Sequence, residues 1–288
     1  MNSNEIKITG KVLEKKPSDP HLFNLSVSKS KTFESCKAKY KFTYIEKLPK
    51  KEWEFQVFGK FVHEVLEHFH LSLMAQPLQS YHLLMKRQFL HSLTHFVLSP
   101  SQKAEAFDIL SRYLLLLANE KKRGIEPTIL AAEKDFYINI DDKILLLGFI
   151  DRIQLDPDGV LHVTDYKTSA KTDYLKKDWV QLLTYAYALW LEDPSLEKIR
   201  GSYIMLKLKK DDGTLDEIQS ISRDFTIPEI MAMEDVFRQY AVKIAEEKEF
   251  APKPSPLCMY CDGIDICTEG QNFMTKLKPN PNFGIIDW

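Results

Sequence analysis

Residues 144–167 read ILLLGFIDRIQLDPDGVLHVTDYK, and this stretch decides the fold. Two apolar runs flank Asp156-Pro157-Asp158-Gly159, a dense cluster of turn formers. The runs therefore read as two strands joined by a tight turn. Just upstream, ILAAEKDFYINI (residues 129–140) is strand-like and ends at the turn pair Asp141-Asp142. Three successive strands with short turns form a meander. Gly148, isolated inside the second strand, marks a place where a backbone comes close.

Outward from the meander the periodicity becomes helical. Between about Gln56 and Leu73, Phe58, Phe61, Val62, Val65, Leu66 and Phe69 recur every three to four residues. Residues 76–123 continue as helix, interrupted at Pro100. Downstream come a helix over about 174–192, a strand RGSYIMLKL (200–208), a DDGT turn (211–214), a strand LDEIQSISR (215–223) and a helix over about 228–249. Near the start, Ser28 or Ser30 can cap a helix carrying Phe33, Cys36, Tyr40 and Phe42. Residues 1–25 read as a loose arm. The order implies an α/β fold, a central mixed sheet flanked by helices. One domain is expected over 26–288, with a helical insert at 74–126 and a Cys-rich segment at 251–288.

Composition narrows the class. Of 288 residues, 44% are hydrophobic and 28% charged, values of a globular chain with a sizeable core. Lys and Arg total 39 against 41 Asp and Glu, a net charge of −2, which excludes a nonspecific polycation but not a local basic groove. Lys47–Lys51 and Lys207–Lys210 are candidate backbone-contacting segments, and equally ordinary solvated charge. No apolar run is long enough to span a membrane, and the first residues lack the apolar core of a secretory signal. A cytoplasmic protein is expected. Its four cysteines then point to metal or catalysis and away from disulfides.

Asp165 and Lys167 are two apart on the third strand, so they share a face. Asp151 ends the second strand. If the strands are antiparallel neighbours, Asp151 and Asp165 approach each other, and two such carboxylates repel unless a cation lies between them. Oxygen donors favour Mg²⁺ or Mn²⁺. A lone Asp-x-Lys is more often solvated surface charge. His63 borders the apolar stripe of its helix and reads equally as a partly buried structural histidine. His63-Glu64-Val65-Leu66-Glu67-His68 fails as a zinc-protease motif. HExxH needs a histidine at position 67, and His63 and His68 diverge by about 140° around a helix. Gln181 and Tyr185, four apart, project from one helix face. Cys258, Cys261 and Cys267 cluster near the end while Cys36 lies far upstream. This one-plus-three pattern suits an iron–sulfur cluster better than the paired ligands of structural zinc.

In this order, the residues resemble the RecB-like branch of the PD-(D/E)xK nuclease superfamily. Its iron–sulfur members, such as the CRISPR-associated adaptation nucleases and the AddB nuclease domain, are the most similar. The family's motifs read here as Cys36, Gly59 to His63, Gly148 to Asp151, Asp165 to Lys167, Gln181 to Tyr185, and Cys258, Cys261 and Cys267, with its opening serines echoed from Ser26. The resemblance implies a restriction-endonuclease-like sheet. It implies Mg²⁺ or Mn²⁺ held by His63, Asp151, Asp165 and the Tyr166 carbonyl, with Lys167 as catalytic lysine and Glu133 as an accessory acid. Gln181 and Tyr185 would lie on the helix that handles DNA, where Tyr166 or Tyr185 can stack on bases. The four cysteines would hold a [4Fe–4S] cluster. The activity implied is metal-dependent DNA hydrolysis, as an exonuclease on single-stranded or frayed ends, beside recombination, repair or CRISPR proteins. The rival is a DNA-binding or complex-forming protein without turnover, whose four cysteines form a structural metal site.

Overall fold

Seven strands form one mixed sheet: β1 (Lys11–Leu13), β2 (Phe23–Leu25), β3 (Thr128–Ile140), β4 (Ile144–Leu155), β5 (Leu161–Lys167), β6 (Lys198–Met205) and β7 (Gln219–Thr226). The structure is a computed structural model and describes residues 10–19, 21–141, 143–169, 178–210 and 213–277. The expected turns at Asp142 and Asp211-Asp212, and the first part of the helix expected from 174, fall wholly or partly outside the described residues.

The order across the sheet is β1-β3-β4-β5-β6-β7. The meander β3-β4-β5 is antiparallel, β5 and β6 are parallel, and β6 and β7 are antiparallel. Residues 1–25 are not simply an arm: β1 extends the β3 edge, and β2 pairs in parallel with Ile144–Leu146 of β4. Strands of three residues carry too little alternation to be read in a sequence.

One edge of β4 is shared. Its first residues take β2, its last four (Arg152 to Leu155) take β5, and the stretch between pairs with neither. Asp151 stands where the β4–β5 ladder ends.

The helices are α1 (Val27–Ser35), α2 (Lys37–Tyr40), α3 (Glu54–Ala75), α4 (Tyr81–Ser92), α5 (Pro100–Lys122), α6 (Val180–Glu192), α7 (Ile227–Glu246) and α8 (Thr268–Lys276). They cover both sheet faces. On one, Leu182, Ala186 and Tyr187 of α6 and Phe237 of α7 bury with Ile150, Val163, Tyr203 and Phe225. On the other, Phe61, Val65 and Phe69 of α3 and Tyr113 of α5 bury with Tyr166 and Ile204. The expected insert supplies α4 and α5 to this second layer. The single helix expected through Cys36 is broken there. Cys36 is extended (φ −163°), ending α1 and capping α2 through its sulfur.

The glycine at 148 makes room for a ring and not a backbone. Phe136 lies opposite it in the β3–β4 ladder, and a Cβ at 148 would meet the Phe136 ring at 2.7 Å. That ring packs edge-on to Tyr185 at 6.1 Å between centroids. Overpacking of this kind costs about 1–3 kcal/mol. Gly148→Ala is accordingly expected to lower the unfolding free energy by about that amount, read from urea denaturation. A variant as stable as wild type would refute this packing.

Candidate active site

β4 and β5 part at Asp151, leaving the Tyr166 N–H without a ladder partner. The Asp151 carboxylate replaces the missing carbonyl, and the Tyr166 N–H donates to its Oδ2 at 2.7 Å. The sheet's own geometry thereby fixes Asp151. From across the layer, α3 brings His63 Nδ1 to 3.4 Å from the same oxygen and 3.8 Å from Glu133 Oε1. α3 carries Gly59 one turn before His63, and a Cβ there would press Thr168 Oγ1 at 3.2 Å.

Ligand atoms of His63, Glu133 and Asp151 all lie within 4.8 Å of one another. Glu133 reaches this group through a distortion. Its φ is +46°, a left-handed conformation inside a strand, and it falls between the paired residues Ala132 and Lys134. Such a conformation costs about 1–3 kcal/mol and persists where its surroundings enforce it.

Alternation along β5 separates two environments. Asp165 and Lys167 face α6. There Lys167 Nζ lies 2.6 Å from Asp165 Oδ2 and donates to Gln181 Oε1 at 2.9 Å. Gln181 Nε2 donates to the Tyr185 hydroxyl at 2.8 Å, and that hydroxyl donates to Asp165 Oδ1 at 3.3 Å. The four side chains close a ring of polar contacts. Tyr166 faces the other way, where its hydroxyl, the Tyr113 hydroxyl and His70 Nε2 stand 2.9 Å apart pairwise. Arg152 Nη1 donates to the Tyr113 hydroxyl at 2.6 Å. Burial, aided by the Arg152 charge, holds the His70 imidazole well below its ordinary pKa and therefore neutral.

The expected stacking role of Tyr166 and Tyr185 is corrected here, because both rings are buried. Phe149 is 55% exposed and borders the cleft instead. This cleft, about 640 Å³, is lined by Ser26, Lys31, Gly59, His63, Glu133, Asp151, Gln181 and Tyr185 among others. Sequence reasoning misses Lys31 and Phe149, since no spacing links a helical lysine to a distant strand. Lys207, expected to face a nucleic acid backbone, is buried beside Phe58 and paired with Glu105 at 3.2 Å.

The electrostatics of the group follow from its acids. Burial, and then the Asp165 charge, push the Asp151 carboxyl above its usual range, while His63 opposes the rise. Burial disfavours the His63 imidazolium, but Asp151, Glu133 and Asp165 outweigh it and raise its pKa to about 10. Two or three oxygen donors and an imidazole, with carboxylates short of countercharge, form a donor set that fits a divalent cation.

The cysteines meet elsewhere. Cys36, Cys258, Cys261 and Cys267 line one small cavity with Phe42 and Ile264. Backbone N–H groups of Lys39 and Lys253 donate to the Cys36 sulfur at 3.5 and 3.4 Å. Those of Ser255 and Gly270 donate to Cys258 and Cys267, each at 3.4 Å. Tyr260 packs edge-on to Trp53 and Phe55, so aromatic contacts also tie this segment down.

A raised histidine pKa links pH to stability. In metal-free protein the imidazolium's contribution is present in full below its ordinary value of 6.5 and is lost as pH rises through about 10. Urea unfolding of wild type and His63→Gln is expected to show a gap near pH 6 that closes above about pH 10. A gap independent of pH would show that His63 is not charged in this cluster.

Among the described residues, no helix is long and apolar enough to cross a membrane. The chain matches the family model of the PD-(D/E)XK nuclease superfamily over residues 24–268. It is 26% identical over 208 residues to one of the two-activity proteins of Streptococcus agalactiae described as ATP-dependent helicase/deoxyribonuclease subunits, in serotype Ia, V and III strains alike. That match covers 64% of this chain but only 18% of those much longer relatives. A crystal structure of a candidate exonuclease from Eubacterium rectale aligns with a TM-score of 0.50 and 11% identity, covering 89% of this chain and 90% of that one. The mixed sheet flanked by helices, with Asp151, Asp165 and Lys167 at its centre, agrees with the family match, and the chain belongs to the PD-(D/E)XK nuclease superfamily.

Proposed function

We propose that the protein is a metal-dependent deoxyribonuclease whose reaction takes place in the cleft between α1, α3, the sheet and α6. The observation that carries this reading is the junction of two groups at one break in the sheet. His63, Glu133 and Asp151 lie within 4.8 Å of one another. The adjoining ring is Asp165, Lys167, Gln181 and Tyr185. His63, Asp151, Asp165 and the Tyr166 carbonyl would hold Mg²⁺ or Mn²⁺, with Glu133 as accessory acid. The N–H and C=O of a strand residue share an edge, so the Tyr166 carbonyl faces the side from which its N–H meets Asp151. A divalent ion supplies Lewis acidity toward a phosphate oxygen and a lower pKa for a water beside it.

The chain's own groups do the rest. Lys167, held by Asp165 and Gln181, stabilises negative charge developing on the scissile phosphate. Asp165 keeps that ammonium aimed. His63 must give up its proton to act as a ligand, so metal uptake and proton release are linked. Phe149 offers an exposed face on which an unpaired base can stack, which supports action on single-stranded or frayed ends. Lys31 and Lys60 border the same cleft and can meet backbone phosphates. The relatives' printed name pairs deoxyribonuclease with helicase, which supports a helicase, recombination, repair or CRISPR protein as partner.

The thiols would hold a [4Fe–4S] cluster. Support comes from their convergence on one cavity and from the N–H groups aimed at their sulfurs, which favour thiolates.

Digestion of end-labelled single- and double-stranded oligonucleotides with Mg²⁺ or Mn²⁺ tests the enzyme reading. Wild type is expected to shorten the single strand from an end. Lys167→Ala is expected to cut about 10²–10³-fold more slowly while binding metal, and Asp151→Asn to lose metal affinity. Wild type that leaves both substrates intact would favour the non-catalytic rival. For the thiols, anaerobically purified protein is expected to be brown, and Cys36→Ser colourless with a lower melting temperature. Colourless wild type with one equivalent of zinc would replace the cluster by a structural zinc.

A further inference from the structure

We propose that a zinc ion binds where α3 meets the end of α4, through the imidazoles of His68, His91 and His95. Nothing in the nuclease reading uses these residues. Glu64 and His68 are four apart on α3 and share a face. His91 lies in the last turn of α4, and His95 four residues on, in the turn that closes the helix, where its N–H donates to the Ser92 carbonyl at 3.0 Å. The ring centres of His68 and His91 are 5.4 Å apart, and those of His91 and His95 4.8 Å. Two imidazoles on one tetrahedral ion, with metal–nitrogen bonds of about 2.0–2.1 Å, stand with their centres about 5 Å apart.

Two further observations point to a cation. The Glu64 carboxylate lies 2.7 Å from His95 Nδ1. A carboxylate so placed fixes the tautomer and leaves Nε2 for a metal. His68 Nδ1 is shut off from solvent with no hydrogen-bond partner, whereas buried polar atoms are ordinarily paired. His68 and His91 also border an open hollow with Ser72 and Gln88, so an ion has a way in. Imidazole donors suit zinc and not magnesium, which separates this site chemically from the carboxylate cleft. The failed zinc-protease string at 63–68 gains a new sense. His68 points away from His63, and its partners come from another helix. A zinc ion there would tie the end of α4 to the helix that presents His63.

Zinc titration of the full chain by calorimetry, with excess Mg²⁺ present, tests this on wild type, His91→Ala/His95→Ala and His68→Gln. His91 and His95 are exposed, and equal melting temperatures without zinc confirm that the double variant folds. Wild type is expected to take up one zinc more than either variant, and zinc to raise the melting temperature of wild type alone. Equal zinc uptake by wild type and the double variant would overturn the site, and full uptake by His68→Gln would remove His68 from it.

Discussion

The site depends on a single hydrogen bond, from the Tyr166 N–H to the Asp151 carboxylate, at the point where β4 and β5 stop pairing. A buried N–H must find an acceptor, and here the ladder offers none. Supplying that acceptor from a side chain fixes one carboxylate beside the residue that follows Asp165. The parting of the strands opens the cleft, and the same bond holds its acidic floor. Without it, Asp151 would be a strand-end carboxylate free to turn toward water.

The charge gathered by this arrangement has to be offset. His63 does so from α3, and Lys167 from β5 itself. The pleat then divides labour between the faces. Asp165 and Lys167 face α6 and the cleft, while Tyr166 points into a fully buried group of His70, Tyr113 and Arg152. That group anchors the middle of the motif from behind, so the alternating side chains are presented on a backbone held at both its N–H and its ring.

Much of this was legible in the chain. The meander, the amphipathic α3, the parallel return through α6 and the shared face of Gln181 and Tyr185 all follow from alternation, helical spacing and turn chemistry. What was hidden depended on contacts without a periodic signature. Three-residue β1 and β2 add to the sheet by backbone pairing alone. The left-handed turn at Glu133 follows from crowding, not from residue type. Phe136 fills the space over Gly148 because the two happen to be opposite in the ladder. Cys36 ends a helix that its neighbours would continue, and its sulfur takes the N–H that caps the next one. Tyr166 and Tyr185 were expected at the surface because aromatic rings suit nucleic acid, but alternation and helix packing bury them.

The account stands or falls on a cation at this break in the sheet. A crystal soaked in Mn²⁺, measured for anomalous scattering at the manganese edge, answers this most directly. The expected result is a peak bounded by His63, Asp151, Asp165 and the Tyr166 carbonyl. Clear density for those side chains, with manganese bound only elsewhere or not at all, would contradict it.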